Sequence, residues 1–163
     1  MLPRLVFEAG EVLDFGCGIG RLAKHIAGPV TPVTGVDISA SMRQQATEYV
    51  KSPHFRALSI EDFDRELGDK YLAHSAIAVW VLQHSVDVAR DIGRLARALM
   101  RGGPLYVMNR GHRAVPGPGG TWIDDGVSIG SLLYAAGFTL ETAVAIPHEL
   151  CAEGAYFARW RRV

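Results

Sequence analysis

The stretch Val12-Leu13-Asp14-Phe15-Gly16-Cys17-Gly18-Ile19-Gly20 decides how this chain is read. A short apolar run meets three glycines at alternate positions, and Leu22, Ala23, Ile26 and Ala27 then recur at helical spacing. That pattern is a strand, a tight turn and a helix. Glycine has no Cβ, so such a turn lets backbone approach a ligand and lets the helix start close to the sheet. A sharp strand-to-helix turn also needs glycine for steric reasons alone, so the loop by itself marks only a place suited to a nucleotide-type ligand.

Working outward, residues 32–36 read as a second strand closing on Asp37, and Ser39 or Ser41 caps a helix carrying Met42, Ala46 and Tyr49. Residues 55–58 form a brief third strand. Residues 75–80 read as a fourth strand, continuously apolar after Ser75, as a central parallel strand covered on both faces should be. The next helix, with Ser85 as its cap and Asp87 in its first turn, carries an apolar stripe of Val88, Ile92, Leu95 and Leu99. Its opposite stripe, Arg90, Arg94, Arg97 and Arg101, reads as a solvated face, and Gly102 and Gly103 stop the helix. A fifth strand over 105–108, a Gly/Pro-rich loop over 111–120 and a helix over 129–136 follow. Strands over 138–146 and 155–160 have no helix between them and are expected to pair antiparallel.

Alternating strands and helices with right-handed crossovers predict an α/β fold: a doubly wound, mostly parallel sheet with helices on both faces and a C-terminal antiparallel hairpin. Ligands of such sheets bind beyond the carboxyl ends of the strands, where strand order reverses. At 163 residues the chain is expected to form one domain, 1–163. With 48% hydrophobic and 21% charged residues it has the composition of an ordinary soluble globular protein.

Lys plus Arg equal Asp plus Glu at 17 each, so no overall field draws the chain toward nucleic acid or an anionic membrane. The arginine stripe lacks interleaved aromatic residues, and a nucleic-acid partner is not expected. The longest apolar run, 76–82, is far shorter than the roughly 20 residues of a membrane span. The start Met1-Leu2-Pro3-Arg4 lacks a secretory signal, which places the protein in the cytoplasm as an expectation. Cys17 and Cys151 form no metal-ligand cluster and are read as reduced thiols, with no metal.

Asp37 sharpens the reading of the glycine loop. A carboxylate at the tip of the second strand stands beside that loop and can accept hydrogen bonds from both hydroxyls of a ribose. It also suits the N-terminus of the following helix. Nicotinamide dinucleotides and S-adenosylmethionine both carry such a ribose. The dinucleotide fingerprint is GxGxxG, whereas here the order is Gly16-x-Gly18-x-Gly20 with Asp14 ahead of it, and no pyrophosphate-binding pattern is matched.

In residues 12–23, in Gly35-Val36-Asp37-Ile38-Ser39 with Met42, and in Val79-Trp80-Val81-Leu82-Gln83-His84, the chain resembles the class I, Rossmann-like S-adenosylmethionine-dependent methyltransferases. Gly102-Gly103-Pro104-Leu105-Tyr106-Val107 resembles that family's entry to the fifth strand. The resemblance implies that Gly16, Cys17 and Gly18 lie against the methionine part of the cofactor, with Asp14 steadying the loop and reaching toward its amino group. It implies that Asp37 holds the ribose and that Ile38 and Met42 contact the adenine or ribose face, although both residue types also suit plain core. Where the family places an acid for the adenine amino group, this chain has Ser59 followed by Ile60, and these take the cofactor-binding role. Trp80 and Val81 would meet the sulfonium and the adenine edge.

His84 follows directly. A neutral imidazole there could take a proton from an oxygen or nitrogen acceptor, or it could simply shape the start of the next helix. Methyl transfer from a sulfonium is already activated, so alignment supplies much of the rate. His112 and Arg113, at the entrance of the loop past the fifth strand, are the substrate-binding candidates.

The expected reaction is methyl transfer to a small-molecule oxygen, nitrogen or carbon acceptor. Only residues 1–11 precede the first strand, so cover for the cofactor could come from another subunit of a homo-oligomer. The rivals are a cofactor-binding regulatory or scaffold module without turnover and an NAD(P)-dependent oxidoreductase.

Overall fold

In β1 (Val12–Phe15) all four residues are buried, including Asp14. A strand enclosed on both faces belongs at the centre of a sheet, and β1 pairs parallel with β2 (Val33–Val36) on one side and β4 (Ser75–Val79) on the other. The computed structural model describes residues 9–68, 70–151 and 154–163. β2 pairs in turn with β3 (Phe55–Leu58), and β4 with β5 (Pro104–Arg110).

The last two strands, β8 (Phe138–Ala145) and β9 (Ala155–Arg162), form the expected antiparallel hairpin. β9 inserts beside β5, giving the order β3-β2-β1-β4-β5-β9-β8. Sequence order reverses between β1 and β4. The carboxyl ends of those two strands therefore open a crevice, and the glycine loop and Trp80 stand at its mouth.

Helices cover both faces. On one, Phe63 of α3 (Ile60–Gly68), Val88, Ile92 and Leu95 of α4 (Val88–Ala98) and Leu133 of α5 (Ile129–Ala135) pack with Leu13, Phe15 and Val107. On the other, Ala23 of α1 (Ala23–Ile26) and Val50 of α2 (Ala40–Val50) pack against Val12 and Val33. A second cluster on that side joins Ile77, Tyr106 and Phe157 with Leu22, Ile26 and Trp80. Among the described residues no helix is long and apolar enough to cross a membrane.

Five departures from the sequence-based expectations bear on the site or on what surrounds it. Strand β4 ends at Val79 rather than at residue 80, because Trp80 adopts φ +58° and leaves the extended conformation. Helix α3 is not among the expected elements. Ser59 accepts a hydrogen bond from the Asp62 amide at 3.1 Å to start it, and Ile60, Phe63 and Leu67 then turn one apolar face to the core. Helix α4 is capped by Asp87, which accepts from the Arg90 amide, while the Ser85 hydroxyl bonds Asp91 instead.

The arginine stripe is not wholly solvated. Arg94 is buried, forked onto both oxygens of Asp64 in α3 and bonded to Asp91. Those bonds hold Asp64 below the usual carboxylate range, Arg94 being the first cause. Finally, the loop after β5 contains a small hairpin of β6 (Val115–Pro116) and β7 (Trp122–Ile123), closed by a single 3₁₀ turn at Pro118–Gly120.

Candidate functional site

The glycine loop is built by two different constraints. Gly16 has φ +76°, and a Cβ there would lie 2.4 Å from a methyl of Val81, so the residue is glycine because backbone must pack against the loop after β4. Gly18 has φ +54° and no atom within 4 Å of where its Cβ would point. At Gly18 the missing side chain leaves open space in the crevice. The amides of Gly16 and Cys17 both donate to the Val36 carbonyl, tying the loop to the end of β2.

Asp37 completes that tie. The Gly18 amide donates to its Oδ2 and the Ser39 amide to its Oδ1, each at 2.9 Å, and Arg43 donates to its carbonyl at 2.7 Å. A carboxylate oxygen can accept more than one hydrogen bond, so both oxygens retain capacity for a pair of ligand hydroxyls. Ser39, the cap of α2, accepts from the Met42 amide.

Beneath the loop lies a hollow of about 430 Å³, lined by Asp14, Cys17, Gly18, Arg21, Met42 and Trp80 among others. Asp14 is 3% exposed, and its Oδ2 has no hydrogen-bond partner among the described residues. Burial, and secondarily the nearby Asp37, push its carboxyl up to about 7. Burial pushes the Cys17 thiol up to about 12, with Asp14 and Asp37 adding to it, so this thiol is protonated and not a nucleophile at neutral pH. A buried acceptor left without a donor, lining a hollow, suits a ligand bearing a cationic N–H group.

A second hollow of about 560 Å³ shares Gly16 and Trp80 with the first, so the two are lobes of one crevice. Asp37, Ile38, Ile60, Glu61, Val81 and His84 line it. Ile38 is 85% exposed and Met42 is also exposed, so neither is plain core; both form apolar rim. Trp80 stands where the lobes meet, a bulky residue in the left-handed region, a conformation that costs about 1–2 kcal/mol and that surrounding structure must enforce. Its amide is held by the Met108 carbonyl at 2.8 Å.

Ser59 is not among the lining residues. Its hydroxyl donates to Asp62 at 2.9 Å while accepting from the Asp62 amide, and this bond, with Arg65, holds Asp62 below the usual carboxylate range. Just after β3, the acid that faces the crevice is Glu61, which the sequence pattern alone does not single out. Its signal is the Ser59-x-x-Asp62 cap, which starts a helix and so turns the next acidic residue outward.

His84 lines the crevice with both ring nitrogens engaged. Nδ1 lies 2.8 Å from the Ala114 carbonyl and Nε2 lies 2.8 Å from Gln83 Nε2, while Trp122 meets the ring edge-on. Arg113, expected to meet substrate, is 2% exposed and committed to structure. Its guanidinium donates to the Leu82 and Ser85 carbonyls, each at 2.7 Å, and forks onto Asp125, which it holds below the usual carboxylate range. It straps the loop after β5 onto the loop after β4. His112 and Arg113 both line a separate hollow of about 240 Å³, with Arg110, Asp124 and Tyr156, which shares no lining residue with the crevice. Among the described residues no group of three or more His, Cys, Asp or Glu side chains could hold a metal ion.

Comparison with known proteins matches residues 13–107 to the family described as Methyltransferase domain. The chain is 33% identical over 108 residues to a trans-aconitate 2-methyltransferase of Afipia carboxidovorans, covering 65% of this chain and 40% of that protein. It is 35% identical over 102 residues to a ubiquinone biosynthesis O-methyltransferase of a Bradyrhizobium species, covering 60% of this chain and 38% of that protein. The match thus spans about two fifths of the length of these curated relatives. An S-adenosylmethionine-dependent methyltransferase from Mesorhizobium loti shares the fold with a TM-score of 0.69 at 18% identity, over 94% of this chain and 91% of that one.

Proposed function

Because the chain belongs to the class I S-adenosylmethionine-dependent methyltransferase family, we propose that its β1/β4 crevice binds S-adenosylmethionine and directs methyl transfer to a small-molecule oxygen, nitrogen or carbon acceptor. The observation that carries this reading is the unpartnered Asp14 oxygen beside the open face of Gly18. An ammonium group supplies the donor that Asp14 lacks, and the absent Cβ leaves room for the chain that bears it. Asp37, fixed by two amides, accepts from the ribose hydroxyls.

Ile38 and Met42 cover the apolar faces of the ligand, and Ile60 and Glu61 meet the adenine edge, Glu61 in place of the expected Ser59. Trp80 and Val81 back the join of the two lobes. When bound, S-adenosylmethionine supplies a methyl group already activated on a sulfonium, so the chief task of the protein is alignment and exclusion of water. His84 accepts the proton of a protic acceptor. His112 is retained as a contact for a part of the acceptor that extends past β5, whereas Arg113 acts through the loop it straps.

The Bradyrhizobium relative is named for transfer to oxygen, so oxygen acceptors are the first to test. Label from methyl-labelled S-adenosylmethionine should enter trans-aconitate, hydroxylated aromatics or components of a metabolite extract, and Asp37→Ala should slow that transfer roughly tenfold or more when the cofactor is below saturation. Tight cofactor binding with no transfer to any of them would favour a cofactor-binding module over an enzyme.

A further inference from the structure

The loops that leave β4 and β5, strapped together by Arg113, are also tied by a buried side-chain amide. Gln83 is 4% exposed. Its Oε1 accepts the Arg110 amide at 2.6 Å, and its backbone carbonyl accepts the Ala114 amide at 2.9 Å. The first of these fixes which end of the side-chain amide is oxygen, because a backbone N–H can only donate. The other end, Nε2, is then a donor, and it points at His84 Nε2 from 2.8 Å. Two donors cannot face each other at that distance, so His84 Nε2 is the lone-pair nitrogen and its proton is on Nδ1, donated to the Ala114 carbonyl.

We infer that Gln83 is a positioning residue that sets the tautomer of His84 and occupies its only free acceptor site until a protic acceptor molecule displaces it. The inference rests on the proposed role of His84 in the crevice. Nε2 can accept from the Gln83 amide or from an acceptor O–H or N–H, but not from both. When the acceptor displaces Gln83, its proton passes to Nε2 and the bonding pair stays on the atom that takes the methyl group. The resulting imidazolium keeps its Nδ1–H on the Ala114 carbonyl. The Oε1 bond to Arg110 lets the loops stay joined while Nε2 is released. Gln83 thus holds the Nε2 lone pair in the direction from which the proton of a protic acceptor arrives.

The test is long-range ¹H–¹⁵N correlation NMR of His84 at about pH 8, where an ordinary imidazole is neutral, on the full chain without acceptor. The expected spectrum is that of the Nδ1–H tautomer. Glu at position 83 keeps an acceptor for the Arg110 amide but replaces the donor facing Nε2 with a carboxylate, so Gln83→Glu should place protons on both nitrogens under the same conditions. An Nε2–H tautomer in the wild type, or nitrogen shifts unchanged in the variant, overturns the inference. The wild-type spectrum decides the tautomer even if the variant fails to fold. Calorimetry with S-adenosylhomocysteine, the demethylated cofactor, on the same wild-type sample separates the two claims: no binding overturns the cofactor reading and leaves the Gln83 assignment to the spectrum.

Discussion

The Gly18 amide donates to Asp37 Oδ2 at 2.9 Å, so the glycine loop and the acid at the end of β2 are parts of one construction. Asp37 does two jobs: it holds the loop in shape, and it presents its remaining lone pairs to the crevice. Replacing it with alanine removes both. Each charge-assisted ligand bond lost costs about 1.5–3 kcal/mol, which is roughly tenfold or more in affinity. Titration calorimetry of Asp37→Ala should show at least that loss for S-adenosylhomocysteine, and Asp37→Asn should lose less because one oxygen still accepts from an amide.

Gly16 and Gly18 are both in the left-handed region, yet alanine should act differently at the two. At Gly16 the new Cβ overlaps Val81, so Gly16→Ala should destabilise the fold by about 2–4 kcal/mol, from overpacking together with the backbone penalty. At Gly18 the Cβ meets nothing, and only the penalty of about 1–2 kcal/mol remains. Gly18→Ala should therefore stay folded while losing cofactor affinity. Denaturant melts beside binding measurements distinguish the two patterns.

Asp14 predicts a pH dependence with a definite sign. Its carboxyl moves from an ordinary 3.8 to about 7 in the fold, mainly through burial. The native state then holds a proton that the unfolded chain has released, so this group's contribution is fully present below about pH 4 and is lost as pH rises through about 7. A displacement of that size corresponds to a loss of at most about 4 kcal/mol. Asp14→Asn should flatten the stability curve over that range and raise ligand-free stability at pH 8. In the wild type, a cationic ligand engaging Asp14 should release a proton near pH 6, visible as a dependence of the binding enthalpy on the buffer's ionisation enthalpy.

Arg94 and Arg97 lie one turn apart on the same helix but differ in burial. Arg94→Ala strands Asp64 and Asp91 without their shared partner and should cost about 2–4 kcal/mol. Arg97→Ala, on the exposed side, should stay within about 0.5 kcal/mol. Equal effects in thermal melts would contradict the buried ion-pair network.

The part of the fold legible in the sequence is the part governed by local pattern. A four-residue run that is apolar but for Asp14, before alternating glycines, and an acid closing the next run are short-range signals, and they suffice to locate β1, β2 and the position of Asp37 at the strand end. A serine cap for the next helix is legible for the same reason, although the choice between Ser39 and Ser41 is settled only by the bond to the Met42 amide. What stays hidden depends on partners far along the chain. Nothing near Arg94 announces Asp64, and α3, which carries that acid, is masked because its cap, Ser59, equally suits a ligand contact. Trp80 belongs to the apolar run, and only the packing of the crevice turns it out of the strand. Arg113 has the chemistry of a substrate-binding residue, but three carbonyl and carboxylate groups from other segments claim its guanidinium. In the crevice, the step from Ser59 to Glu61 requires knowing that a helix begins between them.

The central claim is that this crevice holds S-adenosylmethionine. Isothermal titration calorimetry of the wild-type chain with S-adenosylmethionine, S-adenosylhomocysteine, NAD and NADP tests it most directly. Saturable one-site binding of the first two, weakened by Asp37→Ala, with no heat from the dinucleotides, is the result predicted here. Binding of NAD or NADP without binding of either sulfur cofactor would contradict it.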